Sequence, residues 1–173
     1  LRLSLVLVIF LAYKLKHKTK LLKSALFLGL FGQIILLAWY AGNHTLLIKE
    51  GLPLFHCRIS AIMMVVAYLI QDDKLMRYFA WMGLIGSIIA FTFPDPSKYL
   101  CPHVTNLTYI ANHLLLGFCG VSILSARKST LKLKHTLMTT SIMNIAIMTV
   151  NLILHTNYGY LVQFPQTIPV RFT

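Results

Sequence analysis

The sequence predicts an all-α, polytopic transmembrane helical bundle of about six spans, the first of them incomplete. Three observations carry this. The chain is 57% hydrophobic and only 12% charged, with a mean hydropathy of +0.73, where a soluble domain would carry roughly a quarter charged residues. Its apolar residues are gathered into runs close to the roughly 20 residues that cross a bilayer as a helix. Its 16 Lys and Arg residues sit mainly in short clusters between those runs. The formal charge of +12 therefore points to loops on anionic lipid and not to nucleic acid.

Taken in order, residues 1–13 are apolar apart from Arg2 and read as the end of a first span. A basic cluster follows that run instead of preceding it, so the segment is not a signal peptide. Lys14, Lys16, His17, Lys18, Lys20 and Lys23 make the first basic loop. Further spans are predicted over about 24–41, 54–70, 75–93, 107–124 and 137–155, all in one integral membrane domain covering 1–173. Pro94 and Pro96 stop the fourth span, and the tail from Thr156, with Pro165 and Pro169, reads as irregular, re-entrant or lying on the surface.

Orientation follows from the positive charge. Five basic residues follow the first span, Lys74 and Arg77 follow the third, and Arg127, Lys128, Lys132 and Lys134 follow the fifth. The positive-inside rule makes that side cytoplasmic. The other side then holds His44, His56, Cys57, Asp95, Cys101, His103 and His155, with His113 in the outer half of its span. Five of the seven histidines gather there, which loop solvation does not predict.

Polar positions also share faces. Asn106, Tyr109, His113 and Gly117 recur at steps of three and four, as do Thr140, Asn144, Asn151 and His155, and Gln33, Tyr40 and His44. Lipid-facing positions do not tolerate such stripes, so an internal cavity opening outward is expected. The competing explanation is hydrogen bonding between helices. Gly83, Gly86, Ser87 and Ala90 form a small-residue face on which another helix can sit.

The chemistry centres on Leu52-Pro53-Leu54-Phe55-His56-Cys57-Arg58-Ile59-Ser60. Pro53 suits the first turn of a helix, and an imidazole, a thiol and a guanidinium follow at the mouth of an apolar run. Such groups are costly near a bilayer and mark a candidate site. In one reading Cys57 attacks an acyl carbonyl after His113 or His56 takes its proton. Successive helical residues point about 100° apart, so His113 on another helix is the better partner. A second reading is a metal site from Cys57, Cys101, His103, His113 and His155, but no paired chelating motif exists, and neither metal nor cofactor is expected. The third is a non-enzymatic small-solute or lipid-binding transporter component, with the size of an ECF substrate-binding component.

Several of these stretches carry a resemblance. Leu52 to Arg58, Trp81-Met82-Gly83-Leu84-Ile85-Gly86, Pro102-His103-Val104-Thr105-Asn106 with His113, and Asn157-Tyr158-Gly159-Tyr160-Leu161 resemble, in matching order over about 50–165, the bacterial YwaF-type integral membrane family. That family looks distantly similar to the TMEM164-type transmembrane phospholipid acyltransferases and, more remotely, to the androgen-induced-gene type of transmembrane lipid hydrolases. The resemblance implies an intramembrane nucleophile paired with a histidine two helices later, which fall here on Cys57 and His113. The expected activity is a lipid acyltransferase or acyl hydrolase acting on membrane phospholipids through a cysteine thioester. His56, Arg58, His103, Asn106, Tyr109, Asn112, Asn151 and His155 are the expected supporting or substrate-binding residues. Among them, His56 and His103 would orient the site or bind a headgroup phosphate, and Asn112 would either donate to an oxyanion or face a neighbouring helix.

Overall fold

In the computed structural model, which describes residues 2–97, 99–100, 102–126 and 130–165, helices carry the whole architecture. They are α1 (Arg2–Lys14), α2 (Thr19–Ala41), the single turn α3 (His44–Leu46) continuing into a π-helical turn (Leu47–Gly51), α4 (His56–Leu69), α5 (Asp73–Thr92), α6 (Val104–Ala126) and α7 (Leu133–Leu154), with a 3-10 turn at Tyr158–Tyr160. No strand occurs among the described residues. Four helices (α2, α5, α6 and α7) are long and apolar enough to cross a membrane. The segments His44–Gly51 and His56–Leu69, bent by 80° at their break, form a fifth crossing if taken together. The chain is thus a multi-pass membrane protein. The expected first, incomplete span corresponds to α1, a helix of 13 residues against the roughly 20 a crossing needs.

The helix ends follow from local chemistry. Asp72 caps α5 by accepting from the backbone N–H groups of Lys74 and Leu75, both at 2.9 Å. Pro94 lies just past the end of α5, where it disfavours further helix. Arg2, the charge that interrupts the first apolar run, donates from Nη2 to Thr92 O (2.8 Å) and from Nε to Phe91 O (3.3 Å). It satisfies carbonyls that the end of α5 leaves open. The start of α4 differs from the expectation. Pro53 lies in the bend ahead of the helix, which begins at His56 with Phe55 at its N-cap. His56 and Cys57 are therefore the first two helical residues, where the helix dipole is positive.

α6 is the hub, packing against α1, α2, α4 and α5. It can do so because its inner face is small. A Cβ added at Gly120 would lie 2.9 Å from both Ala80 O and Leu84 Cβ, and one at Gly117 would lie 2.8 Å from Leu5 Cδ1. The small-residue face of α5 is used in part. Ser87 is fully buried and a Cβ at Gly83 would press on Leu116, but nothing lies within 4 Å of one at Gly86. The core joins Leu22, Leu26, Met64, Val65, Phe79, Leu116 and Ile123, while Phe10, Phe31, Ile85, Ile145 and Ile153 face outward, as lipid contact requires.

α7 stands at the perimeter, with only Ile147 and Asn151 buried. It is tied to the bundle by polar contacts, Tyr78 Oη to Thr140 Oγ1 (2.8 Å) and His56 Nε2 to Asn144 Oδ1 (2.8 Å). This corrects the expectation of an open polar cavity lined by the stripes. Thr140 and Asn144 instead bond to other helices, where an unpaired polar group would be costly.

Candidate active site at the strapped end of the bundle

Alternation of the helices brings the end of α2, the α3–α4 break, the end of α5, the start of α6 and the end of α7 to one end of the molecule. The contacts there join segments far apart in sequence. Tyr158, fully buried, donates its hydroxyl to Ile48 O (2.6 Å) and accepts from Leu52 N–H (3.2 Å). Tyr160 donates to Asp95 Oδ2 (2.9 Å). Both rings pack on Phe55, with centroids at 5.3 and 5.7 Å. The turn Tyr158–Tyr160 is thus a strap across the start of α4.

Asn151 holds the strap. Its Nδ2 donates to Tyr158 O (2.9 Å), and its Oδ1 accepts from Tyr158 N–H (2.7 Å) and Thr156 Oγ1 (2.9 Å). Gly159 has φ +66°, and a Cβ there would meet His56 Cε1 at 2.8 Å and Nδ1 at 3.0 Å. The imidazole of His56 is consequently held between the strap on one side and Asn144 of α7 on the other.

Under the strap lies Cys57, a free and half-buried thiol. Its sulfur has the Arg58 guanidinium as an electrostatic neighbour. Its electrostatic neighbours across the site are Tyr109 and Tyr160.

Tyr109 lies beside His113. Its ring centroid is 4.5 Å from the imidazole centroid, and its hydroxyl donates to Ala90 O (2.9 Å) while accepting from Asp95 N–H (3.4 Å). His113 is 5% exposed, and its Nδ1 lies 2.7 Å from Tyr109 O. A carbonyl only accepts, so Nδ1 carries the proton. In the neutral ring Nε2 then holds the lone pair, and it has no hydrogen-bond partner among the described residues.

Residues 1–172 match the TMEM164 family. The chain belongs to the TMEM164 family. No curated protein and no solved structure matches it.

Within this TMEM164-family fold, the expected site residues fall into groups. Tyr109 packs on His113 and is an electrostatic neighbour of Cys57, no hydrogen bond joins Cys57 to His113 among the described residues, and His56 is one residue away from Cys57 and fixed. Arg58 points elsewhere, donating from Nη1 to Glu50 O (2.9 Å), Gly51 O (3.0 Å) and Leu52 O (3.4 Å). It closes the π-helical turn and lies over the Tyr40 ring at 5.4 Å. Asn151 serves the strap. His103 stacks on Tyr99 (4.2 Å), packs edge-on to Trp39 (5.0 Å) and bonds Thr105 Oγ1 through Nδ1 (2.7 Å). Asn106 fixes the preceding loop, accepting from Ser97 Oγ and donating to Tyr99 O, both at 2.7 Å.

Asn112 turns toward α2 and α4. It lines a cavity of about 10 Å³ with Ala25, Met64 and Cys119, and its Oδ1 is buried without a partner. His155 ends α7 in a left-handed conformation (φ 50°) with its side chain exposed. Among the described residues no three His, Cys, Asp or Glu side chains converge as a metal site would require. Cys101 of the metal reading lies outside those residues, as do Arg127, Lys128 and Pro169.

Sequence reasoning gave no role to Asp95 and Tyr160 together or to Gly159. The run Asn157-Tyr158-Gly159-Tyr160 was the available signal. Glycine between two aromatics marks a turn with buried anchors.

Proposed function

We propose that this chain is a membrane-embedded lipid acyltransferase or acyl hydrolase that works through a thioester on Cys57, with His113 as its base. The observation that carries the reading is the commitment of His113 Nδ1 to Tyr109 O. It leaves Nε2 as the lone-pair nitrogen of His113, and Tyr109, which packs on that ring, is an electrostatic neighbour of the Cys57 thiol. Burial against Phe91 and Tyr109 shields the ring from water.

In the first half-reaction His113 Nε2 takes the Cys57 proton as sulfur attacks the acyl carbonyl of a phospholipid. The carbon–sulfur bond forms, the ester C–O bond breaks, and Nε2–H protonates the departing oxygen to give a lysophospholipid. In the second, His113 deprotonates an acceptor hydroxyl, or water in a hydrolase, which attacks the thioester and restores the thiol. Tyr109 and Tyr160 orient groups around the sulfur, and the His56–Asn144 contact fixes the start of α4. By the positive-inside rule the strapped end lies on the non-cytoplasmic side. The transporter reading loses support because Thr140 and Asn144, expected to line a solute path, are bonded to Tyr78 and His56.

The test is the intact mass of the full chain purified with phospholipid, before and after neutral hydroxylamine. An added acyl mass that hydroxylamine removes, and that Cys57→Ser lacks, supports the thioester. A chain left unmodified during lipid turnover rejects it. Supplying a lysophospholipid acceptor separates transfer from hydrolysis, since only transfer returns the acyl group to lipid.

A further inference from the structure

A cavity of about 110 Å³ lies on the side of α4 away from Cys57, between α2 and the α3–α4 break. Its walls are mostly apolar, with Leu30, Ile34 and Leu37 from α2 and Ile62 from α4. Two polar side chains are on its lining, Gln33 and Arg58. Gln33 is 7% exposed, and its amide has no hydrogen-bond partner among the described residues. An unpaired amide facing an apolar cavity is costly and marks a place where something polar is missing. The other group is the Arg58 guanidinium, the only charged side chain on the lining.

The two groups sit at different depths. Arg58 lies level with Tyr40, over whose ring it sits, while Gln33 is two turns back along α2, roughly 10 Å deeper at 1.5 Å per residue. Beyond them α2 exposes Phe31, Ile34, Ile35 and Leu37, so the cavity opens on the face that meets the bilayer. A cation above, a carboxamide below and an apolar wall match a bilayer phospholipid, which presents phosphate, then ester carbonyl, then chain. Arginine is the preferred side chain for phosphate, and the Gln33 N–H can satisfy an ester carbonyl.

We infer that the α2–α4 cavity is a seat for a glycerophospholipid of the surrounding membrane, with its phosphate on Arg58 and an ester carbonyl on Gln33. The seat is separate from the Cys57 site. Cys57 and Arg58 leave α4 about 100° apart, one toward α6 and the strap and the other toward α2. The inference therefore stands whether or not Cys57 is a nucleophile.

The experiment is photo-crosslinking of the full chain in vesicles of phosphatidylcholine carrying a diazirine in one acyl chain, followed by peptide mapping. Adducts should concentrate on residues 30–37 and on Ile62, well above those on the outer face of α7. Gln33→Leu, which removes no hydrogen bond from the fold, should lower that yield about fivefold, the worth of one hydrogen bond, and leave the α7 background unchanged. Arg58→Gln should lower it too, and a photoactivatable diacylglycerol, which lacks the phosphate, should crosslink there more weakly. Cys57→Ala should leave the adduct intact. Equal labelling of α2 and α7, an unchanged yield in Gln33→Leu, or chain-to-chain adducts at α2 would overturn the seat. Loss of the adduct in Cys57→Ala would overturn its independence.

Discussion

At the scale of single residues, the geometry separates side chains that look equivalent in sequence. Five histidines were expected at one end; His113 commits Nδ1 as a donor to a carbonyl, which leaves the lone pair on Nε2, whereas Nδ1 of His103 accepts from Thr105 N–H. His103 is stacked and bonded into the start of α6, and His56 is clamped. Replacing His113 with Gln keeps a donor for Tyr109 O but removes the base. The expected outcome is a loss of about 10²–10⁴-fold in the rate of Cys57 acylation, with thermal stability little changed, followed by time-resolved intact mass. Equal acylation by the variant would assign the base elsewhere. Gly159 makes a sharper structural demand. Its φ of +66° costs other L-residues about 1–2 kcal/mol, and a Cβ would also strike the His56 ring. Gly159→Ala should lower stability by at least that amount in a thermal melt, and it should slow acylation by shifting the start of α4.

At the scale of elements, the apolar runs made legible the four long helices α2, α5, α6 and α7, and a fifth crossing if the bent α3–α4 pair is one span. Hydropathy is a property of each segment by itself, so no neighbour need be known. The start of α4 was less legible. Pro53 fits a helix start or a bend equally well, and the bend prevails because the π-helical turn closes onto Leu52 and Arg58 ties down its carbonyls. The polar stripes told which residues share a face but not what faces them, so Asn144 read as cavity lining when its partner is His56. The strap was the least legible element, since its stability comes from groups distant in sequence: the backbone of the π-helical turn and Leu52, the Phe55 ring, the Asp95 carboxylate and the Asn151 amide. Asn151→Leu removes three of its bonds and should cost about 2–4 kcal/mol, exposing the chain after Asn157 to limited proteolysis while α2, α5 and α6 stay resistant. The strap should also depend on pH. Burial, then the Asp95 carboxylate, push the Tyr160 phenol up from its ordinary value. The raised folded value means that this contribution is full below about pH 10, the unfolded phenol value, and is lost as pH rises toward the folded one. Proteolysis at the strap should therefore quicken above about pH 10, and Tyr160→Phe should abolish that dependence.

At the scale of the whole molecule, the two ends differ in composition and in construction. One end carries Lys14, Lys16, Lys18, Lys20, Lys23, Lys74, Arg77, Lys132 and Lys134 in loops and the helix ends beside them. The other is knitted together by Tyr158, Tyr160, Asn151, Arg58 and the Trp39–His103–Tyr99 stack. Placing the basic end in the cytoplasm exposes it to anionic lipid, where each Lys or Arg near the surface gains about 1 kcal/mol. On the proposed orientation the strapped end faces the opposite leaflet, whose phospholipids would be the ones to approach Cys57. In a Cys57→Ala, Cys101→Ala, Cys119→Ala background, a single cysteine at Asn43 should react with a membrane-impermeant maleimide added outside intact cells. One at Lys18 or Thr130 should react only after permeabilisation. The reverse pattern would leave the fold and the Cys57–Tyr109–His113 geometry untouched. It would move the chemistry to the cytoplasmic leaflet and change which lipids can serve as acyl donors.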